Sequence, residues 1–274
     1  MREEKMKLAI LDLYDGEPNQ GMRAIKSIVE TYKDHFDYTV FDVRGKAEVP
    51  DTSYDVYISS GGPGSPLDGD GIWNKQFFDL IDQLWAINQS GEGPTKYAFF
   101  ICHSFQMVCD HFDLARVLPR KSRAFGTFPA HMTPAGSVEP YFAALPNPFC
   151  VADFRLWQVV QPDHDAFEAM GAKILALEKI RPHVPLERAI MAIRFSRAFF
   201  GVQFHPEADP EGMRIHFGKA ERKAEIIKKH GAEKFERMMS DLEDEKQIPL
   251  TFKTILPTFL DDAIQMLAKI PQAM

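Results

Sequence analysis

Cysteine is scarce in this chain. Three occur in 274 residues, Cys102, Cys109 and Cys150, scattered and without a CxxC pair. That excludes a disulfide framework and fits a reduced compartment, where a free thiol survives. Long apolar runs are missing too: none approaches the roughly 18 to 20 residues of a membrane span. The opening MREEKMKLAILDL carries acids where a secretory signal would be basic, and its apolar run is too short for a signal core. A cytoplasmic protein with no membrane partner is expected. Basic charge is also in deficit, 32 Lys and Arg against 39 Asp and Glu, for a net charge of -7. No global field favours phosphate backbones, so nucleic acid is not an expected partner. GxGxxG does not occur, and the glycines of SSGGPGSP, residues 59 to 66, are not followed by the Lys of a phosphate-binding loop.

What is present points to a large folded core. The chain is 45% hydrophobic and 26% charged, enough for one substantial domain with an appendage. KLAILDL, YTVFDV, YDVYISS and KYAFFI read as strands, and GMRAIKSIVETYKDHF and IWNKQFFDLIDQLWAINQS as helices between them. Strand alternating with helix predicts an α/β fold, an open, mostly parallel sheet with helices on both faces, because parallel neighbours need crossover connections. Residues 113 to 165 are irregular and rich in Pro, Gly and Phe, and read as turns and short β segments. AKILALEKI, RAIMAIRF and AFFGVQF follow as strands, the last two spaced for a hairpin. The chain is then helical to its end. The expected division is an α/β domain over 1–217 and a helical C-terminal extension over 218–274, whose charged stretch at 219–246 reads as a solvated helix face. Pro257 should bend or start the last helix.

One strand ends in a thiol. In KYAFFICHSFQMVC, residues 96 to 109, Cys102 leaves a buried strand and enters a helix. Held on that turn, its sulfur projects above the sheet, and the helix N-terminus favours the thiolate. A lone buried cysteine more often serves as a small apolar residue, so a nucleophile here needs a base. His205 in FFGVQFHPE also leaves a strand end, and Glu207 stands two residues on, returning to the same face of an extended chain. Glu207 could then bond the far ring nitrogen and fix the tautomer. The alternative is that His205 merely ends a strand and Glu207 begins a helix. SSGGPGSP turns sharply enough to aim backbone N–H groups inward, as an oxyanion hole requires, or is an ordinary strand-to-helix turn.

Together, and in this order, SGGPGSP, ICHSFQM and GVQFHPE resemble the class I glutamine amidotransferases, and are similar to the glutaminase domain of GMP synthase. The resemblance spans roughly residues 6 to 217 and implies a flavodoxin-like sheet. It implies that Cys102 attacks the side-chain amide of glutamine, forming a γ-glutamyl thioester and ammonia, before water releases glutamate. His205 would move the proton and Glu207 would hold His205. The N–H groups of Gly62 and His103 would form the oxyanion hole, and Gly61 and Gln106 would bind substrate. No metal or organic cofactor is implied. The sequence departs from the family where its turn has glycines, here Phe100 and Ser104, and where Phe105 replaces a histidine. The family's Ser-His-Gly-Asp grip on the amino-acid end has no clear match, with Gln158, Gln161, Asp163 and His164 as candidate substitutes. After residue 217 no synthase module follows. A separate ammonia-accepting synthase subunit, a stand-alone γ-glutamyl peptide hydrolase, a non-catalytic scaffold that kept the fold, and a homo-oligomer all stay open.

Overall fold

A computed structural model describes residues 5–17, 19–182 and 187–269. Its first half is repeated strand and helix. β1 (Met6–Asp12) leads to α1 (Gln20–Glu30), β2 (Phe36–Asp42) to the short α2 (Val43–Lys46), and β3 (Val56–Ser59) to α3 (Trp73–Ser90). β4 (Tyr97–Ile101) then runs into α4 (His103–His111). The five residues of β4 are all buried, as a parallel strand covered on both faces requires. α1 is amphipathic, burying Met22, Ile25, Ile28 and Val29, and starts where the Asn19 side chain accepts from the Met22 N–H at 2.7 Å.

The irregular middle contains four strands, β5 (Ala115–Pro119), β6 (Gly126–Met132), β7 (Phe149–Asp153) and β8 (Trp157–Pro162), followed by α5 (His164–Met170). β9 (Lys173–Glu178), β10 (Ile190–Arg194) and β11 (Phe199–Val202) complete a nine-stranded sheet in the order β2-β1-β3-β4-β11-β10-β9-β6-β7, while β5 and β8 pair apart. From β2 to β11 every pairing is parallel; beyond β11 every pairing is antiparallel. β10 and β11 form the expected hairpin, closed by Phe195 donating to the Phe199 carbonyl at 3.0 Å.

The helical C-terminal part consists of α6 (Pro210–Gly218), α7 (Ala220–His230), α8 (Ala232–Glu243) and α9 (Ile248–Leu267). These helices pack on the sheet of their own chain. Phe217, Ile226, Phe235, Met238 and Leu242 join Cys150 and Ala152 of β7 in one apolar cluster. α9 lies over the centre of the sheet, where the Phe259 ring meets Phe99 at 5.0 Å and Tyr97 at 6.1 Å. Pro257 does not start this helix. Pro249 occupies its first turn, where a missing N–H is harmless, and the helix continues through Pro257. Among the described residues no helix is long and apolar enough to cross a membrane.

Phe259 is fully buried between strand and helix. Phe259→Ala should therefore cost about 3 to 5 kcal/mol of stability, read as a lower urea midpoint by circular dichroism. An unchanged midpoint would show that α9 is not part of the cooperative core.

Candidate active site

The order of the sheet decides where its loops meet. The chain moves outward from β1 to β2 and returns to β3 on the other side of β1, so a crevice opens at the carboxyl ends of the strands. Tyr14 after β1, Ser60 to Gly62 after β3, Cys102 after β4, and Gln203 to Glu207 after β11 all leave those ends. The Ser60 hydroxyl accepts from the Leu13 N–H at 2.9 Å and donates to the Gly61 carbonyl at 2.8 Å, tying the first two loops together. Glycine at 62 is dictated by close approach: a Cβ there would lie 2.6 Å from the Leu13 carbonyl oxygen.

Cys102 sits between strand and helix with φ 50° and ψ -93°, a strained conformation for a residue with a side chain. Its N–H is held by the Val202 carbonyl at 2.8 Å, and its carbonyl accepts from the Gln106 N–H at 3.0 Å. Ser104 pins the turn further. Its hydroxyl accepts from the Ile101 N–H at 2.9 Å and donates toward the Ser59 carbonyl at 2.9 Å. Phe100 pairs with Gly201 on β11, where a Cβ would lie 3.4 Å from Phe100 Cβ and press 2.8 Å from the Phe105 ring.

The sulfur of Cys102 accepts from Gln203 Nε2 at 3.8 Å, and Gln203 Oε1 in turn accepts from Gln106 Nε2 at 3.0 Å. Gln106, which the resemblance implied as a substrate-binding residue, is buried, is not among the residues facing the cavity, and donates its side-chain amide to Gln203. His205 Nδ1 is 2.7 Å from Glu207 Oε1. Burial opposes a charge on His205, but the Glu207 carboxylate and then Cys102 outweigh it and hold the imidazole well above its ordinary 6.5. Glu207 is itself buried, and its Oε2 has no hydrogen-bond partner among the described residues.

Cys102, His205, Glu207 and Gly62 face one cavity of about 400 Å³. Gly61 lies under the imidazole, its Cβ position 3.0 Å from His205 Cε1 and from the Tyr14 hydroxyl. The N–H of His103 opens α4 and so has no partner inside the helix. The side chain of His103 is buried, with burial and then Arg44 pushing it down to about 3, so it stays neutral. Tyr14 also lines the cavity; burial, Glu207 and Cys102 raise its phenol well above 10 and keep it protonated. None of the substitutes considered for the amino-acid grip reaches this cavity. Gln158 is buried against Arg120 and Arg181, Gln161 reaches toward Arg116, Asp163 caps α5, and His164 is the first residue of that helix. In their place the cavity offers an ion pair that sequence reading missed, Arg23 Nη2 to Asp209 Oδ2 at 2.7 Å. Gln203 was legible, since it stands within GVQFHPE; nothing local distinguished Tyr14 or Arg23. Among the described residues no three His, Cys, Asp or Glu side chains converge as metal ligands.

No family model and no curated protein matches the chain. Solved structures do. A glutamine amidotransferase from Thermotoga maritima aligns over 96% of this chain and 100% of its own, with TM-score 0.68 and 17% identity. A glutamine amidotransferase from Methylobacillus flagellatus aligns over 96% and 93%, with TM-score 0.56 and 13% identity. The glutaminase domain of Trypanosoma brucei CTPS, solved with bound acivicin, aligns over 74% and 86%, with TM-score 0.55 and 13% identity. The fold is that of the class I glutamine amidotransferases.

A raised folded-state pKa means that His205 holds its proton more tightly in the folded chain than in the unfolded one. The stability it contributes is full below about 6.5 and is lost as pH rises through the folded value. Urea midpoints should therefore fall between pH 6 and pH 9 in the wild-type protein, and fall less in Glu207→Gln. Equal slopes would show that Glu207 does not hold the proton on His205.

Proposed function

We propose that this chain is a cysteine amidohydrolase that cleaves the side-chain amide of glutamine, or another γ-glutamyl amide, through a γ-glutamyl thioester. One observation carries the reading. Three strand ends far apart in the chain bring a strained cysteine, an imidazole paired at 2.7 Å to a buried carboxylate, and a glycine turn to one cavity.

In this reading the Cys102 sulfur attacks the amide carbon, and the charge that develops on oxygen is met by the N–H groups of Gly62 and His103. His205, holding a proton under the influence of Glu207, delivers it to the leaving nitrogen as the C–N bond breaks. Water then attacks the thioester, giving its proton to His205, and the C–S bond breaks to release the γ-carboxylate. Glu207 keeps the imidazole oriented across both steps. Gln203 positions the sulfur, and Gln106 acts through Gln203. The paired Arg23 and Asp209 suit a zwitterion: the α-carboxylate of the substrate can approach the guanidinium and its α-ammonium the carboxylate. Tyr14, held neutral, lines the same cavity.

A separate synthase subunit that accepts ammonia belongs to the glutamine form of this reading. The likeness to a glutaminase domain of a CTPS supports it. The form that releases a larger amine is favoured by the cavity itself, whose walls at α6 and β7 are aromatic.

Cys102→Ala should reduce release of ammonia or amine from γ-glutamyl amides by ~10³-fold or more, with the urea midpoint retained. Turnover unchanged in that variant would eliminate the thioester route and leave the fold as a scaffold.

A further inference from the structure

We propose that the amide cleaved is a γ-glutamyl aromatic amino acid, so that the leaving amine carries both a ring and a carboxylate. The inference rests on the proposed function and adds to it the identity of the amine half. It follows from where the proton must go. His205 protonates the leaving nitrogen, so whatever that nitrogen carries extends on the imidazole's side of the cavity. There the Phe154 ring stands 6.2 Å from the His205 ring. Phe154 packs against Phe125 at 5.3 Å and Phe217 at 6.2 Å, and Phe125 against Phe217 at 6.0 Å. Three rings thus make one continuous wall beginning at the proton donor. Ammonia has no surface to place against it; an aromatic amine does.

The wall leads to cations. The cavity shares Arg123, Phe125, His216 and Phe217 with an adjoining groove of about 490 Å³, bounded further by Arg222 and Lys229. Glu225 is the one carboxylate lining that groove among the described residues, and it is already engaged by Arg222 at 2.9 Å and Lys229 at 2.7 Å. Arg120 nearby is paired to Glu178, whereas Arg123 is exposed and forms no ion pair among the described residues. A guanidinium free of an acid, lining the same cavity as a wall of aromatic rings, suits an anion carried on a ring. In the reaction, the C–N bond of γ-Glu-NH–R breaks as the C–S bond to Cys102 forms. The nitrogen takes the His205 proton and leaves as the free aromatic amino acid, and water then converts the thioester to glutamate.

The test compares kcat/KM of the purified full chain on γ-glutamylphenylalanine, γ-glutamylphenethylamine, γ-glutamylglycine and glutamine. γ-Glutamylphenylalanine should exceed each of the other three by about tenfold or more, the phenethylamine compound losing only the carboxylate and the glycine compound only the ring. In Arg123→Ala the ratio of the phenylalanine to the phenethylamine compound should fall to about one. Glutamine or γ-glutamylglycine cleaved as well as the phenylalanine compound would overturn this inference and leave the amidohydrolase standing. An undiminished ratio in Arg123→Ala would overturn the assignment of the carboxylate to Arg123. Absence of Cys102-dependent cleavage of all four would overturn both.

Discussion

The site hangs on the backbone of one residue. Cys102 is held at φ 50° between β4 and α4, in a region that costs a side-chain-bearing residue about 1 to 3 kcal/mol. The fully buried β4 offsets that cost, with the Val202 carbonyl on its N–H and the Ser104 hydroxyl bridging the Ile101 N–H to β3. Relaxing the turn would break bonds in the middle of the sheet. The strain therefore persists, and it keeps the sulfur above the carboxyl edge while the first turn of α4 presents its free N–H groups to the same space.

Everything else at the site is placed by adjacency to that turn. β4 pairs with β11 on one side and with β3 on the other, so the imidazole and the glycine turn arrive with the register of the sheet. The short link from Gln106 through Gln203 to the sulfur crosses the same two strands. It explains why a fully buried glutamine, an expensive residue to desolvate, sits one step from the histidine: each of its amide groups has a partner. Glu207 is the counter-case, with one oxygen satisfied by His205 and the other without a partner among the described residues, and its negative charge favours the proton on the ring.

α6 forms one side of the cavity. α6 supplies Met213 and Phe217, which meet Phe125 and Phe154 from the irregular middle, and α7 and α8 brace that wall through Ile226 and Met238. The helical extension thus backs one wall of the cavity, and that wall is built from residues outside the three motifs.

Much of this was legible in order along the chain. The periods of burial in α1, α3 and β4 are written in neighbouring residues, and so are the β10–β11 hairpin and a strand that ends in cysteine or in histidine two residues before glutamate, because the groups that satisfy one another there lie close in the chain. The rest of the antiparallel half of the sheet, the inward turn of Gln106, the Arg23 to Asp209 pair and the wall beginning at Phe154 were not. Each joins residues tens to nearly two hundred positions apart, and no local pattern encodes which strands become neighbours or which way a buried amide finds its partner. The sequence alone determined the kinds of elements and the reacting groups at their ends. Only the tertiary structure decided what surrounds those groups, because burial, charge and room for a substrate are properties of packed surfaces that exist only once distant segments have met.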